Sequence, residues 1–525
     1  MALYRAFATV GGLTMVSRVL GFMRDILIAA VLGSGAVADA FFVAFRFPNL
    51  FRRLFGEGAF NAAFVPLFAK RLEGEGEGAA RRFAEEALAA LAFVLVGFSA
   101  LAMLAMPWLM VLLAPGFVAD TEKYDLAVLL TQIAFPYLLC MSIVALLSGV
   151  LNSVHHFWAA AAAPILLNLV LITAIGAAGW LGLHRQPQAG VMLAWGVFAA
   201  GLAQLALLWA AVRRAGFTLR LRRPRMTEGV KRLVALGMPG LVAGGITQIN
   251  IVIGTIIASL QAGAVSYLYY ADRLYQLPLG IVGVAIGVVL LPDLARKLKA
   301  GEEAAALESQ NRSLELGLLL TAPAAVALAV AADPMIRVLF ERGAFGASDT
   351  AATATALAAF AVGLPSFVLI KVFQPAYFAR EDTATPMRFA AVNMAANALG
   401  SGVLFLLFRE MGLMGHVGIA LATSLAGWLN AALLWWELCR RGHFKVDARL
   451  REAVPLILVS SLIMGVALGL AGAYLEPWFG SPNPLAVRAG ALGVLVALGA
   501  IVYFLFAHLT GAARLSSLRE ALRRQ

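Results

Sequence analysis

The 525-residue sequence predicts an all-α polytopic membrane protein of about fourteen transmembrane helices, and three observations carry the prediction. Hydrophobic residues make up 62% of the chain and charged residues 13%, roughly half the charged share of a soluble domain. Apolar runs of about 20 residues, long enough to cross a bilayer, recur from end to end. Basic residues gather in alternate gaps between those runs, the pattern that fixes orientation in a membrane.

The runs lie near 7–32, 36–69, 84–113, 126–154, 157–181, 189–212 and 230–260 in the first half. They continue near 264–294, 313–331, 350–370, 386–408, 415–438, 452–473 and 486–509. The first resembles a secretory leader, but Arg18, Arg24 and Asp25 interrupt it, so it is expected to stay as a membrane span. The second is too long for one straight crossing, and Gly56-Glu57-Gly58 is expected to break it. An even number of crossings puts both termini on one side. With that side cytoplasmic, 29 of the 41 basic residues fall inside. Eight of them lie between Arg213 and Arg232. Six fall outside: Lys123, Arg185, Arg337, Arg342, Arg409 and Arg488. The net charge of +12 therefore reflects orientation in an inner membrane, and nucleic acid is not an expected partner.

The chain also repeats itself. Gly35-Ala36-Val37 recurs as Gly263-Ala264-Val265, Phe117 as Phe345, Pro136 as Pro365 and Val65-Pro66 as Leu291-Pro292, all at nearly one offset. Matches in order at a common spacing imply two pseudo-symmetric six-helix lobes, expected at 1–214 and 215–440. Residues 441–525 then supply two extra helices and a tail. Leu515, Leu518 and Leu522 share one face of that tail, as expected for a segment lying on the inner membrane surface.

Charges inside a bilayer are costly and usually line a pathway. Within the runs the cations are Arg18, Arg24, Arg46, Arg52, Arg53 and Arg273, and the anions Asp25, Asp39, Glu57 and Asp272. Cations outnumber anions by two, so an anionic guest is expected. Arg18, Arg24, Arg52 and Arg273 are the candidate ligand contacts, because a guanidinium stays charged at any depth and offers paired donors to phosphate. Arg18 and Asp25 are seven apart and share a face, whereas Arg24 points elsewhere unless Gly21 kinks the helix. Arg53 with Glu57 reads as a structural i,i+4 pair, Asp272 beside Arg273 as an orienting group or an interfacial pair, and Arg46 as a residue that can snorkel to a headgroup.

Catalytic readings find little support. The six His are scattered at turns and span ends, and Cys140 and Cys439 are isolated small apolar fillers. Neither a nucleophile elbow nor a phosphate-binding loop occurs, so no catalytic residue and no cofactor is expected. A carrier without a nucleotide site must draw on a gradient or the membrane potential.

Several of these stretches resemble one family. Ser17-Arg18-Val19-Leu20-Gly21-Phe22-Met23-Arg24-Asp25 is similar to the opening of the MurJ (MviN) lipid II flippases. So is the segment from Asp39 through Phe47-Pro48-Asn49-Leu50-Phe51-Arg52-Arg53, continuing to Glu57-Gly58-Ala59-Phe60 and Phe64-Val65-Pro66. Tyr269-Tyr270-Ala271-Asp272-Arg273-Leu274 with Pro278-Leu279-Gly280 resembles the family's eighth-helix motif. The resemblance implies a multidrug/oligosaccharidyl-lipid/polysaccharide exporter fold with two extra helices that form a groove for a lipid tail. It implies lipid II, a disaccharide-pentapeptide on polyprenyl diphosphate, as substrate. It carries over Arg18, Arg24, Asp39, Arg52 and Arg273 as substrate-binding positions, with Asp25, Asn49, Arg53, Glu57 and Asp272 in support. Membrane lipids and cell-wall synthesis or division proteins are the further expected partners. Some relatives bind sodium through carboxylates. Here the eleventh run offers Asn393 and Asn397, and neither it nor the seventh run holds an Asp or Glu. A metal site is therefore not expected, and this pair can instead bond across helices. The alternatives are a flippase for another polyprenyl-diphosphate glycan and a non-transporting scaffold for cell-wall enzymes. A scaffold has no need of uncompensated buried arginines.

Overall fold

Where lipid replaces water, a backbone N–H or C=O has only its own segment to bond with, and the chain folds accordingly into helices. The computed structural model describes residues 2–52 and 59–512, with side chains described outside 2–8, 51–62, 239–247, 284–285 and 288. The chain forms two compact units, 1–266 with 342–345, and 267–341 with 346–525.

The first unit opens with α1 (Ala2–Leu32), α2 (Ala36–Arg52), α3 (Ala59–Glu75), α4 (Glu77–Leu104) and α5 (Met106–Leu113). A 3-10 turn, Pro115–Ala119, leads into α6 (Thr121–Ala134), followed by α7 (Tyr137–Ser153), α8 (Trp158–Trp180), α9 (Pro187–Arg214) and α10 (Glu228–Ser259). Gly33 (φ 67°) and Gly35 (φ 140°) turn the chain between α1 and α2 in a conformation that L side chains rarely adopt. Helix α8 packs on α1 and α9, α7 on α9, α2 on α6, and α3 on α10. A core of Phe47, Leu95, Ala102, Met106, Phe135 and Leu138 ties α2 to α4 and α7.

The second unit comprises α11 (Ala264–Lys299), whose first residues still belong to the first, then α12 (Glu303–Val330), α13 (Ala332–Phe340) and α14 (Ala347–Phe378). It ends with α15 (Ala384–Glu410), α16 (Gly415–Arg440), α17 (Ala448–Phe479) and α18 (Leu485–Leu509). Helix α16 packs on α14 and α15, and α12 on α14. A Cβ at Gly363 would lie 2.7 Å from Ser424 Cα, so α14 and α16 approach more closely than any larger residue there allows. Helices α17 and α18 pack together and on α12 through Ile457, Met464, Leu468, Leu495 and Tyr503, whose hydroxyl donates to Leu319 O at 2.6 Å.

Among the described residues, ten helical segments are long and apolar enough to cross a membrane. The other four predicted runs fall on α1, on α2 with α3, on α10 and on α11, and three of these four hold the charged residues singled out above. The expected break at Gly56-Glu57-Gly58 lies outside the described residues. Two predicted runs differ from simple rods. The run 84–113 is divided at Ala105, where Pro107 begins α5, and the run 126–154 at Phe135-Pro136, because proline has no N–H for the helical ladder. Helix α12 starts ten residues before the predicted run, since its first turns are polar and invisible to a search for apolar stretches.

Candidate functional site

Two buried charge nodes in the first unit gather residues singled out above, one around Arg24 and one around Asp39. In the first, the Arg24 guanidinium curls back along α1. Its Nε and Nη2 donate to Asp25 Oδ1 at 2.9 and 2.7 Å, and Nη1 donates to Asn168 Oδ1 at 3.0 Å. Asn168, on α8, donates in turn to Ser17 O at 2.8 Å. The group lies 5.7 Å from the Phe45 ring centroid, and Arg24 and Asp25 are 5% and 1% exposed. Helical geometry alone turns adjacent residues away from each other. The length of the arginine side chain overrides that, so Arg24, not Arg18, meets Asp25.

Arg18 is placed differently. It is exposed, makes no ion pair or hydrogen bond among the described residues, and borders a cavity of about 380 Å³. Thr14, Ser17, Asn152 and Phe157 share that lining. A guanidinium with no counter-ion among the described residues, beside two hydroxyls and an amide in a mixed lining, is suited to an anionic guest.

The second node centres on Asp39, which is fully buried. Its Oδ2 accepts from Lys123 Nζ at 2.7 Å and Gly263 N at 2.9 Å, and its Oδ1 from Ser266 N at 2.9 Å and Ser266 Oγ at 2.6 Å. Asp39 thus caps the start of α11 from another helix, where free N–H groups and the helix dipole favour an anion. Lys123 is buried as well, with its ammonium 4.0 Å from the Phe117 ring centroid. The sequence had put Lys123 among the outside loop residues. Its place in the first turn of α6 buries its side chain against Asp39, which is neutralised by this lysine and not by one of the arginines. Nearby on α2, Arg46 donates to Thr255 Oγ1 at 3.1 Å, and Asn49 donates to Phe45 O at 3.1 Å. Arg53, Glu57 and the side chain of Arg52 lie outside the described residues.

In the second unit, Arg273 lies over the Tyr269 ring at 4.6 Å and donates to its hydroxyl at 2.8 Å, which fixes the guanidinium one turn up α11. Asp272 accepts from Gln276. Asn397 is buried and accepts from Thr423 of α16 at 3.2 Å, a bond across helices, while Asn393 sits one turn away. Among the described residues no group of three His, Cys, Asp or Glu is arranged to hold a metal ion. Lys123, Asn168 and Tyr269 are the polar contacts that sequence reasoning passed over. The signal available for Asn168 was its isolation within the apolar run 157–181.

Comparison with known proteins is consistent across its forms. A family model described as Lipid II flippase MurJ matches residues 28–485. The probable lipid II flippase MurJ of Rhizobium tropici is 50% identical, over 100% of this chain and 97% of that protein. The lipid II flippase MurJ of Burkholderia cenocepacia is 34% identical, over 96% of each. A solved structure of lipid II flippase MurJ in an inward closed conformation superposes with a TM-score of 0.78 at 24% identity, covering 95% of this chain and 98% of that one. An inward-facing multidrug resistance MATE transporter gives 0.65 at 13% identity, covering 83% and 98%. These last two likenesses concern the fold.

Proposed function

The chain belongs to the MurJ lipid II flippase family, and from that premise we propose that it carries lipid II from the inner to the outer leaflet of the bacterial cytoplasmic membrane. The observation that supports this reading most is Arg18, a cation with no counter-ion among the described residues on a helix of a lipid-embedded chain, beside a cavity whose lining mixes Thr14, Ser17 and Asn152 with apolar side chains. Such a charge is costly unless an anion visits it. The diphosphate of a polyprenyl-linked precursor supplies two phosphates, and arginine forks match phosphate oxygens.

In the proposed cycle, Arg18, Arg24, Arg52 and Arg273 each meet the diphosphate headgroup at some stage. Asp25 and Asn168 hold Arg24 in place, Tyr269 holds Arg273, and Asp39 with Lys123 holds the start of α11. The lobes 1–214 and 215–440 alternate access to the two sides, and the helices in 441–525 take the lipid tail. Both termini are cytoplasmic. With the inside negative, the membrane potential favours outward movement of negative charge by about 2.3 kcal/mol per charge per 100 mV.

Substitution of the four arginines tests this in cells depleted of their own lipid II flippase. Losing one charged hydrogen bond to phosphate costs about 1.5–3 kcal/mol, roughly ten- to a hundredfold in binding. Ala at each site should abolish growth, and Lys should impair it at two or more sites, because the fork matters as well as the charge. The exposed Arg409 serves as control and should tolerate both. Full activity of all four Ala variants at normal protein levels would overturn the anionic-site mechanism.

A further inference from the structure

We propose that the segment from Arg213 to Arg232, joining α9 to α10, is a docking strap for anionic phospholipid headgroups at the membrane surface. The proposal stands independently of the transported substrate. Eight basic residues lie in this stretch: Arg213, Arg214, Arg220, Arg222, Arg223, Arg225, Lys231 and Arg232, with Glu228 as the single acid. A charge run of this kind is ordinarily a solvated loop that sets orientation. Two features of this one go beyond that role.

The first is that the strap is built into the unit. Phe217 is buried, with its ring 5.8 Å from that of Phe68, and Leu219 is buried beside it in sequence. The Arg220 N–H donates to Glu85 Oε1 at 3.1 Å, Arg222 pairs with the same buried carboxylate, and the Thr227 hydroxyl donates to Glu86 Oε2 at 2.7 Å. Two acids of α4 therefore hold the backbone and absorb one arginine, leaving Arg220, Arg223 and Arg225 facing outward.

The second is the company these arginines keep. Leu221 is 72% and Met226 62% exposed, interleaved with the guanidinium groups. In water those side chains gain nothing. At a bilayer surface the apolar groups dip between headgroups while the arginines meet phosphate. Trp209, one turn before Arg213 and 5.9 Å from its guanidinium, marks the polar–apolar boundary just where α9 ends. The opposing acids Glu73, Glu75 and Glu77 sit at the α3–α4 turn, and even Glu77 is about 12 Å along the helix from Glu85. Even counted together with Glu85, Glu86 and Glu228, these three acids are outnumbered by the strap's eight basic residues.

A nitroxide label at Leu221→Cys in a Cys439→Ala background reports the strap's depth, since Cys140 is buried. The full chain would be placed in vesicles of phosphatidylcholine alone or with about one third phosphatidylglycerol. We expect the label to lie about 5 Å or more deeper in the anionic vesicles. The combined Arg220→Gln, Arg223→Gln and Arg225→Gln variant, which leaves the Arg222–Glu85 contact intact, should lose that shift. Equal depth in both vesicles, or a shift unchanged by the three substitutions, would overturn the proposal. So would a label that stays in water in both vesicles yet is protected by added polyglutamate, which would make the strap a protein-binding surface instead.

Discussion

At the residue scale, Arg24 combines two duties that its substitution can separate. It neutralises the buried Asp25 and, in the proposed cycle, grips phosphate. Removing one partner of a buried pair costs about 3–5 kcal/mol, chiefly because the other charge is stranded. Arg24→Ala should therefore lower the melting temperature in detergent, and adding Asp25→Asn should restore most of it. Growth on the depleted host should fail with either variant. If the double variant is both stable and fully active, Arg24 serves only to balance Asp25. The sequence made these charges conspicuous, because any ion within an apolar run stands out. Their pairing was not legible, since Asn168 lies 144 residues away and Asp25 adjoins Arg24 on a helix where neighbours diverge.

Elements are where the sequence reading missed most. Lys123 looked like a loop residue because hydropathy marks apolar runs and cannot tell an exposed first turn from a buried one. In the fold it completes a contact among α2, α6 and the start of α11. Lys123→Met should destabilise the protein by about 3–5 kcal/mol, and pairing it with Asp39→Asn should recover part of that loss in thermal unfolding. A Lys123→Met variant as stable as the parent would mean that Asp39 is held by the α11 amides alone. The turn between α14 and α15 offers a pH-dependent counterpart. Burial acts to raise the Asp382 carboxyl, but the Thr385 backbone N–H and hydroxyl and the Arg441 guanidinium outweigh it and hold the group at about 2, below its ordinary 3.8. Because the folded value is depressed, this contact stabilises the fold above about pH 4 and is lost as the pH falls towards 2. Asp382→Asn should therefore flatten that part of the stability profile, as thermal unfolding across pH can show.

For the whole molecule, lipid as solvent is what made the fold readable. Backbone self-satisfaction leaves only helices for apolar runs, so the described part of each of the fourteen predicted runs lies on a helix or a consecutive pair. The break at Pro136 is local, since proline lacks an N–H, whereas tertiary packing set the short α13 and the passage of α11 from one compact unit to the other at Ser266 and Tyr267. The site was legible as a set of residue types, since an excess of cations over anions in lipid calls for an anion, but its internal partners depended on the fold. The most direct test of the central claim is the amount of lipid II on the outer leaflet of cells depleted of their own flippase. It is read by cleavage with an externally added lipid II hydrolase that cannot cross the membrane. With this chain expressed, cleavable lipid II should return to the level of undepleted cells and fall again when Arg18 is replaced by Ala. Lipid II that stays inaccessible with the wild-type chain well expressed in the membrane would contradict the account.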